Sequence, residues 1–435
     1  MTKFIKIVQF DLGGMAPPFN VFLKLIPIFA EAGYNMLMLG WEDKFPWKEK
    51  SFRAQSALSE ADVLTIQKVA VDNGMGFVPS MQVLGHLENF LCIEKYKSLR
   101  EVPERSDCLN PLANGALEFS LSLVNEVLAL SPNIKYLHLG GDEVWSLGQH
   151  PDTQAYIKKN SKAKLFLKHM RPIIDMLNHK GIRPLLWHDM MVKWDDEDLL
   201  SIKDDIDVVF WGYDGCIQDA QHHCNINNVV RFNRLGFNLW GAAAFKGASG
   251  CASVYPDIME LSVNSKSWYQ IGLDLNFRGF IVAGWGRYSQ FHPPCDPMFG
   301  AFDSLFIISQ IFEGHIDDAK ALSLLKYSLQ KHGFAEAFEQ VKVMSVEFTD
   351  SYKRAWDCVR NLHQQYVMED KFIKDNASHL ANLMLKDFIA EMNILTDLSV
   401  KFKKLLNQFS DKNEVDQFVD TKLVALQNLL NQAKK

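Results

Sequence analysis

Short apolar runs alternate with longer amphipathic stretches along the first 300 residues. Eight runs read as strands, residues 4–11, 35–41, 76–82, 135–142, 183–189, 207–213, 237–242 and 279–285, each bounded by turn residues. Between them apolar positions recur at helical spacing, as from Val21 to Ala32 and from Leu165 to Leu177. A near-continuous apolar strand is buried on both faces, so eight such strands with intervening helices describe a closed parallel (β/α)8 TIM barrel. An open doubly wound sheet uses the same units. Strand ends separate the two, because a ring brings every carboxyl end to one pocket. Polar and aromatic residues follow nearly every run: Asp11, Trp41-Glu42-Asp43, Gln82 to His86, Asp142-Glu143, Trp187-His188-Asp189, Trp211 to Asp214, Trp240, and Trp285 to Tyr288.

The pattern changes near residue 300. Glycines thin out and an apolar-charged periodicity runs through Phe348 to Leu362, Asn376 to Leu405 and Val415 to Ala433, which predicts three or four long helices. The division expected is a catalytic barrel over residues 1–300 and a C-terminal helical domain over 301–435. The helices are expected to pack on the barrel or on each other; they permit a homodimer without requiring one.

Composition acts mainly by exclusion. A net charge of −6 and a pI near 6.1 give no basic footprint for nucleic acid or an anionic membrane. The seven cysteines are scattered, with no Cys-x-x-Cys pair, and free thiols fit a reducing compartment. The chain passes from Met1-Thr2-Lys3 straight into a strand-like run, and no apolar stretch reaches membrane-spanning length. A cytoplasmic location is the expectation. No second His or Cys stands at metal spacing, and His222-His223 falls in what reads as an ordinary helical stretch. Phe245-Lys-Gly-Ala-Ser-Gly250 lacks the order of a phosphate-binding loop, so neither a metal nor an organic cofactor is expected.

Candidate chemistry concentrates in Tyr136-Leu-His-Leu-Gly-Gly-Asp-Glu143. Strand alternation would place His138, Gly140 and Asp142 on one face and let Glu143 emerge at the rim. Solvated rim charges are the bland alternative, but a buried strand and two glycines precede these acids. Adjacent carboxylates raise one another's proton affinity, so one can remain a general acid while the other stays charged. Glu143, with the longer reach, is the expected acid and Asp142 the fixed charge. Any single tryptophan after a strand is ordinarily core filling; Trp41, Trp187, Trp211, Trp240 and Trp285 together offer flat walls for the C–H faces of a sugar ring. His138, within a strand, reads as structural, whereas His86 sits on a loop where a ligand would lie.

His138-Leu-Gly-Gly-Asp-Glu143 resembles the His-x-Gly-Gly-Asp-Glu signature of glycoside hydrolase family 20, the β-N-acetylhexosaminidases. Trp41-Glu-Asp-Lys-Phe-Pro46, Leu84-Gly-His-Leu-Glu88, Cys108-Leu-Asn-Pro111, Leu186-Trp-His-Asp-Met190 and Gly284-Trp-Gly-Arg-Tyr288 are similar, in order and spacing, to the hexosaminidase D branch of that family. The resemblance implies a retaining exo-hydrolase in which the substrate's own 2-acetamido oxygen attacks the anomeric carbon, an exception to the scheme of two catalytic carboxylates. By the same resemblance Asp142 orients the acetamido group and Glu143 protonates the leaving oxygen and then activates water. Trp187 and Trp285 would wall the sugar, and His86 would stand behind with Glu42 or Asp43. The arginine many members carry after the first strand is absent from Asp11-Leu-Gly-Gly14, and their Trp-Tyr after the seventh strand is Trp240-Gly241 here, leaving Tyr213 as a candidate substitute. These differences imply altered recognition at the 3- and 4-hydroxyls, with Asp11 among the contacts, and a preference for terminal β-N-acetylgalactosamine over N-acetylglucosamine.

Two rival readings have distinct signatures. A conventional retaining glycosidase with Asp189 or Glu42 as nucleophile would cleave sugars lacking the acetamido group. A sugar-binding or scaffold protein on a degenerate barrel would bind without turnover.

Overall fold

The computed structural model describes residues 4–246, 256–287, 294, 297–315, 317–367 and 371–433, with the backbone alone for 363–367, 371–381 and 433. Eight parallel strands close into a barrel in chain order: β1 (Ile5–Asp11), β2 (Met36–Gly40), β3 (Gly76–Ser80), β4 (Tyr136–His138), β5 (Arg183–Trp187), β6 (Asp207–Trp211), β7 (Asn238–Lys246) and β8 (Gly279–Gly284). The ring is sealed by β1, which pairs from Ile7 with Met36 on one side and from Ile5 with Gly279 on the other. The expected TIM barrel is therefore the fold.

Each strand is followed by a helix: α1 (Phe19–Glu31), α2 (Glu60–Asp72), α3 (Ala116–Ala129), α4 (Lys162–His179), α5 (Asp196–Leu200), α6 (Ile226–Arg234), α7 (Ile258–Asp274) and α8 (Phe302–Ile311). Local chemistry marks the starts. Ser59 and Asp62 form a reciprocal capping box on α2, and Ser161 accepts the Lys164 N–H on α4. Period-two alternation divides the strand side chains between two cores. On β1, Ile7 joins Met36, Met38 and Val78 inside the barrel, while Phe10 faces outward against Phe22 and Phe29 of α1.

Two strands depart from expectation by more than two residues. β4 stops at His138 rather than running to 142, because both glycines after it adopt left-handed φ and end the extended chain. β7 runs on to Lys246, past an irregularity between Ala244 and Lys246. Trp240 is consequently not a strand-end residue. It is fully buried low in the barrel, its Nε1 donating to Asp207 at 2.9 Å and its ring edge-on to Tyr136.

Beyond α8, which packs on α7 and β7, come α9 (Asp318–Lys331), α10 (Ala335–Val367), α11 (Lys371–Leu406) and α12 (Lys412–Ala433). The last three lie against one another, and α10 starts well before the predicted Phe348. The start of α12 reaches back to the loops at the carboxyl ends of the barrel strands. Glu414 accepts the Ala16 N–H at 2.9 Å and pairs with the buried Lys44 at 2.7 Å, while Ser410 Oγ donates to Met15 O at 3.1 Å. The loops after β1 and β2 are thus held by residues some four hundred positions later. Cys92, Cys108, Cys216, Cys224 and Cys358 are free thiols; Cys251 and Cys295 lie outside the described residues.

Candidate active site

The chain leaves β4 through Gly140 (φ +67°) and Gly141 (φ +85°) and reaches Glu143 with φ +49°. This turn, not strand alternation, delivers the two acids. Gly140 is required twice over, by its left-handed backbone and because a Cβ there would stand 1.8 Å from Gln82 Oε1. The Gln82 amide occupies that space. It accepts the Gly141 N–H at 3.3 Å and donates from Nε2 to Asp142 Oδ1 at 2.9 Å. Glu143 is fixed from the other side, its backbone N–H donating to Asp189 Oδ2 at 2.9 Å.

His86 joins the pair. Its Nε2 lies 3.5 Å from Asp142 Oδ2 and 3.5 Å from Glu143 Oε2. Burial opposes the imidazolium, yet the Asp142 charge and the contacts to both carboxylates raise its pKa well above 6.5. Burial likewise opposes the Asp142 carboxylate, but His86 and Gln82 outweigh it and hold the acid below its ordinary pKa of 3.8. Asp142 is therefore a fixed negative charge. Asp189 behaves oppositely: burial, then the charge of Asp142, lifts it to about 7 although Glu143 N–H and Trp211 Nε1–H both donate to it.

Left-handed non-glycine residues follow three adjacent strands: Glu42 (φ +48°) after β2, His86 (φ +49°) after β3 and Glu143 after β4. Such backbone costs on the order of 1–3 kcal/mol per residue and persists where surroundings over-determine it. Glu42 is held by Asn89 Nδ2 on Oε2 at 3.0 Å and by Trp47 Nε1 on its carbonyl at 2.8 Å. Burial, and then Asp11, Asp43 and Glu88, push its pKa well up. Asp11 accepts the backbone N–H groups of Gly13 and Gly286, each at 2.8 Å, tying the first loop to the last; Arg287 Nε adds a bond to Gly13 O.

The aromatic wall contains fewer tryptophans than the pattern predicts. Trp187 and Trp285 lie side by side, tilted by 53° with ring centroids 6.3 Å apart, and Trp211 stacks on Tyr213 at 5.5 Å. Trp41 also borders the crevice, but its ring is buried among Phe45 and Phe77. Tyr213 reaches the Trp285 indole, and burial keeps its phenol protonated. His138 is structural as expected: it accepts the Gly140 N–H at 3.1 Å, packs on Trp187, and burial lowers its pKa to about 4.

One crevice thus gathers Asp11, Glu42, His86, Trp187 and Trp285, with Gln82 linking it to Asp142. Sequence reading undervalued Gln82, placed among the strand-end residues without a task, and weighed Asp189 only as a nucleophile. It also misread His222-His223, which lies in a turn before α6 and not in a helix. There His223 meets the buried His188 and packs on the half-buried Trp211. His188 Nδ1 accepts the Trp211 N–H at 3.3 Å, so its Nε2 is the nitrogen that donates to His223 Nδ1 at 3.0 Å. No spacing rule links positions 188 and 223; only the fold brings them together. Lys246 ends β7 as a buried residue, while 247–250 of the glycine-containing loop and Tyr288 lie outside the described residues.

Comparison with known proteins adds to this geometry. Residues 36–230 match the profile of the glycosyl hydrolase family 20 catalytic domain. Hexosaminidase D of Homo sapiens is 29% identical over 331 residues, 73% of this chain and 68% of its own. For Hexosaminidase D of Bos taurus the identity is 29% over 318 residues, 70% and 91% of the two chains. Flavobacterium johnsoniae chitobiase superposes with a TM-score of 0.58 at 14% identity, over 99% of this chain and 72% of its own. The exo β-N-acetylglucosaminidase of Vibrio harveyi gives 0.54 at 15% identity, and this chain spans 58% of that one. At such identities the two structures speak for the fold alone.

Proposed function

We propose, for a family 20 glycoside hydrolase of hexosaminidase D-like sequence, that this chain removes terminal non-reducing β-linked N-acetylgalactosamine, and more slowly N-acetylglucosamine, with retention of configuration. The carrying observation is the state of Asp142, a carboxylate kept ionised by His86 and Gln82 beside a freer Glu143. Such a charge suits an acetamido group that turns nucleophile: Asp142 accepts its N–H and balances the positive charge of the forming oxazolinium ring. Glu143 donates its proton to the glycosidic oxygen, the C–O bond breaks, and the same carboxylate then draws a proton from the water that opens the ring. Product leaves with the starting anomeric configuration.

Asp189 is poorly suited to the alternative role of protein nucleophile, since burial and the charge of Asp142 lift it to about 7 and so favour its neutral form over the nucleophilic carboxylate. The Trp187 and Trp285 faces are suited to the sugar's C–H surface, and the Tyr213 hydroxyl to the acetamido group, with Asp11, Glu42 and His86 toward the remaining polar edge. In this reading residues 1–300 form the catalytic unit, with α8 at the seam to the helices of 301–435. We place the protein in the cytosol, as its scattered cysteines favour.

The test is turnover of aryl β-N-acetylgalactosaminide and β-N-acetylglucosaminide with aryl β-galactoside as the acetamido-free control, each against Glu143→Gln. Cleavage confined to the acetamido sugars and lost in the variant supports the reading. Cleavage of the plain galactoside restores a protein nucleophile, and binding without cleavage makes the chain a sugar-binding protein.

A further inference from the structure

Two buried polar atoms at the crevice, Gln9 Oε1 and Trp41 Nε1, have no hydrogen-bond partner among the described residues. Gln9 lies on the inward face of β1, in step with Ile7 and Asp11, and is 2% exposed, yet its Oε1 receives no hydrogen bond. The indole Nε1–H of Trp41, just beyond β2, finds no acceptor. Both residues border the same crevice as Asp11, Glu42 and Trp285. A buried amide oxygen without a partner is costly, and an aliphatic side chain of equal length would fill that place without the cost. The cost is removed when a bound hydroxyl occupies the crevice, because a hydroxyl can serve either end of an amide.

Position identifies which hydroxyl. Glu143 follows β4, and β1 stands three strands away around the ring, across the cavity. In a pyranose, C4 lies opposite C1, so a sugar with its anomeric carbon at Glu143 turns its C4 edge toward β1 and β2. Asp11 and Glu42 line the upper part of that edge. Gln9, two residues before Asp11 on one strand face, lies about 7 Å deeper and meets a substituent directed down the barrel axis. We propose that Gln9 is a specificity-determining residue that hydrogen-bonds the 4-hydroxyl of the terminal sugar, with the Trp41 indole N–H beside it, and so separates the galacto from the gluco epimer. This inference rests on the reading of the site as an N-acetylhexosamine pocket.

The test is calorimetric binding of N-acetylgalactosamine, its 4-deoxy analogue and N-acetylglucosamine to the whole protein and to Gln9→Met. Methionine keeps the length and removes the amide. The variant is expected to lose about tenfold in affinity for N-acetylgalactosamine. The 4-deoxy sugar, already without the hydroxyl, should bind variant and parent alike, and the thermal midpoint should hold or rise. Equal losses for all three sugars, unchanged binding of all three, no measurable binding to the parent protein, or a midpoint several degrees lower would each overturn the assignment. Turnover of the aryl sugars is read separately. A coupled loss in a protein without turnover keeps Gln9 as a binding residue and discards the hydrolase, whereas turnover with uncoupled losses keeps the hydrolase and discards the role of Gln9.

Discussion

Asp189 accepts the backbone N–H of Glu143 at 2.9 Å, so a buried carboxyl group holds the left-handed turn that presents the other acid. Burial and the charge of Asp142 lift Asp189 to about 7 from 3.8. A raised folded-state pKa means that stability from the neutral form is complete below 3.8 and is lost as pH rises through about 7. Asp189→Asn cannot ionise. Its unfolding midpoint should therefore be lower overall, because one N–H donor meets an amide NH2, but flatter between pH 5 and 8 than that of the parent. Thermal melts across that range check it, and an unchanged slope would remove Asp189 as the titrating group.

The dyad predicts an asymmetry. Glu143→Gln should lose roughly 10²–10⁴-fold in kcat on substrates with poor leaving groups and much less on activated aryl glycosides, which need little protonation. Asp142→Asn should lose on both, since in the mechanism proposed above it removes the charge that would face the oxazolinium. A leaving-group series with each variant decides this; equal, mild losses would refute the assigned roles.

Gly140 and Gly181 form a matched pair. Both are left-handed, at φ +67° and +70°, but a Cβ at Gly140 meets Gln82 at 1.8 Å whereas nothing lies within 4 Å at Gly181. Gly181→Ala should cost about 1 kcal/mol and leave activity intact. For Gly140→Ala a loss of at least about 2 kcal/mol is expected, together with most activity, since Gln82 is driven off Asp142. Urea unfolding with parallel kinetics measures both.

Buried neutral histidines predict acid sensitivity. Burial lowers His138 and His169 to about 4, and His169 Nε2 is engaged with Val83 O at 2.9 Å. Lowered folded-state pKa values give stability that is complete above about 6.5 and is lost as pH falls toward about 4. His169→Gln should shallow the decline of stability over that range. Denaturant midpoints at pH 7, 5.5 and 4.5 supply the comparison.

The sequence made the barrel legible because its strands, buried on both faces, are apolar runs between turn residues, and no helix-forming alternative competes at such lengths. Strand limits were less legible. Leu139 continues the apolar run after His138, and only the glycine dihedrals show that the strand has ended. Trp240 looks like a strand-end residue when Gly241 follows it; the alanines up to Phe245 carry no turn signal and the strand simply continues. Asp142 and Glu143 announced themselves through two glycines. Their supports did not: Gln82 and Asp189 act through contacts between separate strand ends, as His188 and His223 do with each other, and nothing in a linear spacing encodes such neighbours.

The grip of Glu414 on Ala16 and Lys44 also orders events in time. A chain synthesised from its amino end displays Asp11 and Glu42 early, yet the loops that carry them are secured only after the segment around residue 414 has left the ribosome. Closing a contact between residues 16 and 414 is entropically slow to find. The eight-stranded ring can pair strand by strand before that contact closes, so closing the barrel and fixing the loops that carry Asp11 and Glu42 are separable steps.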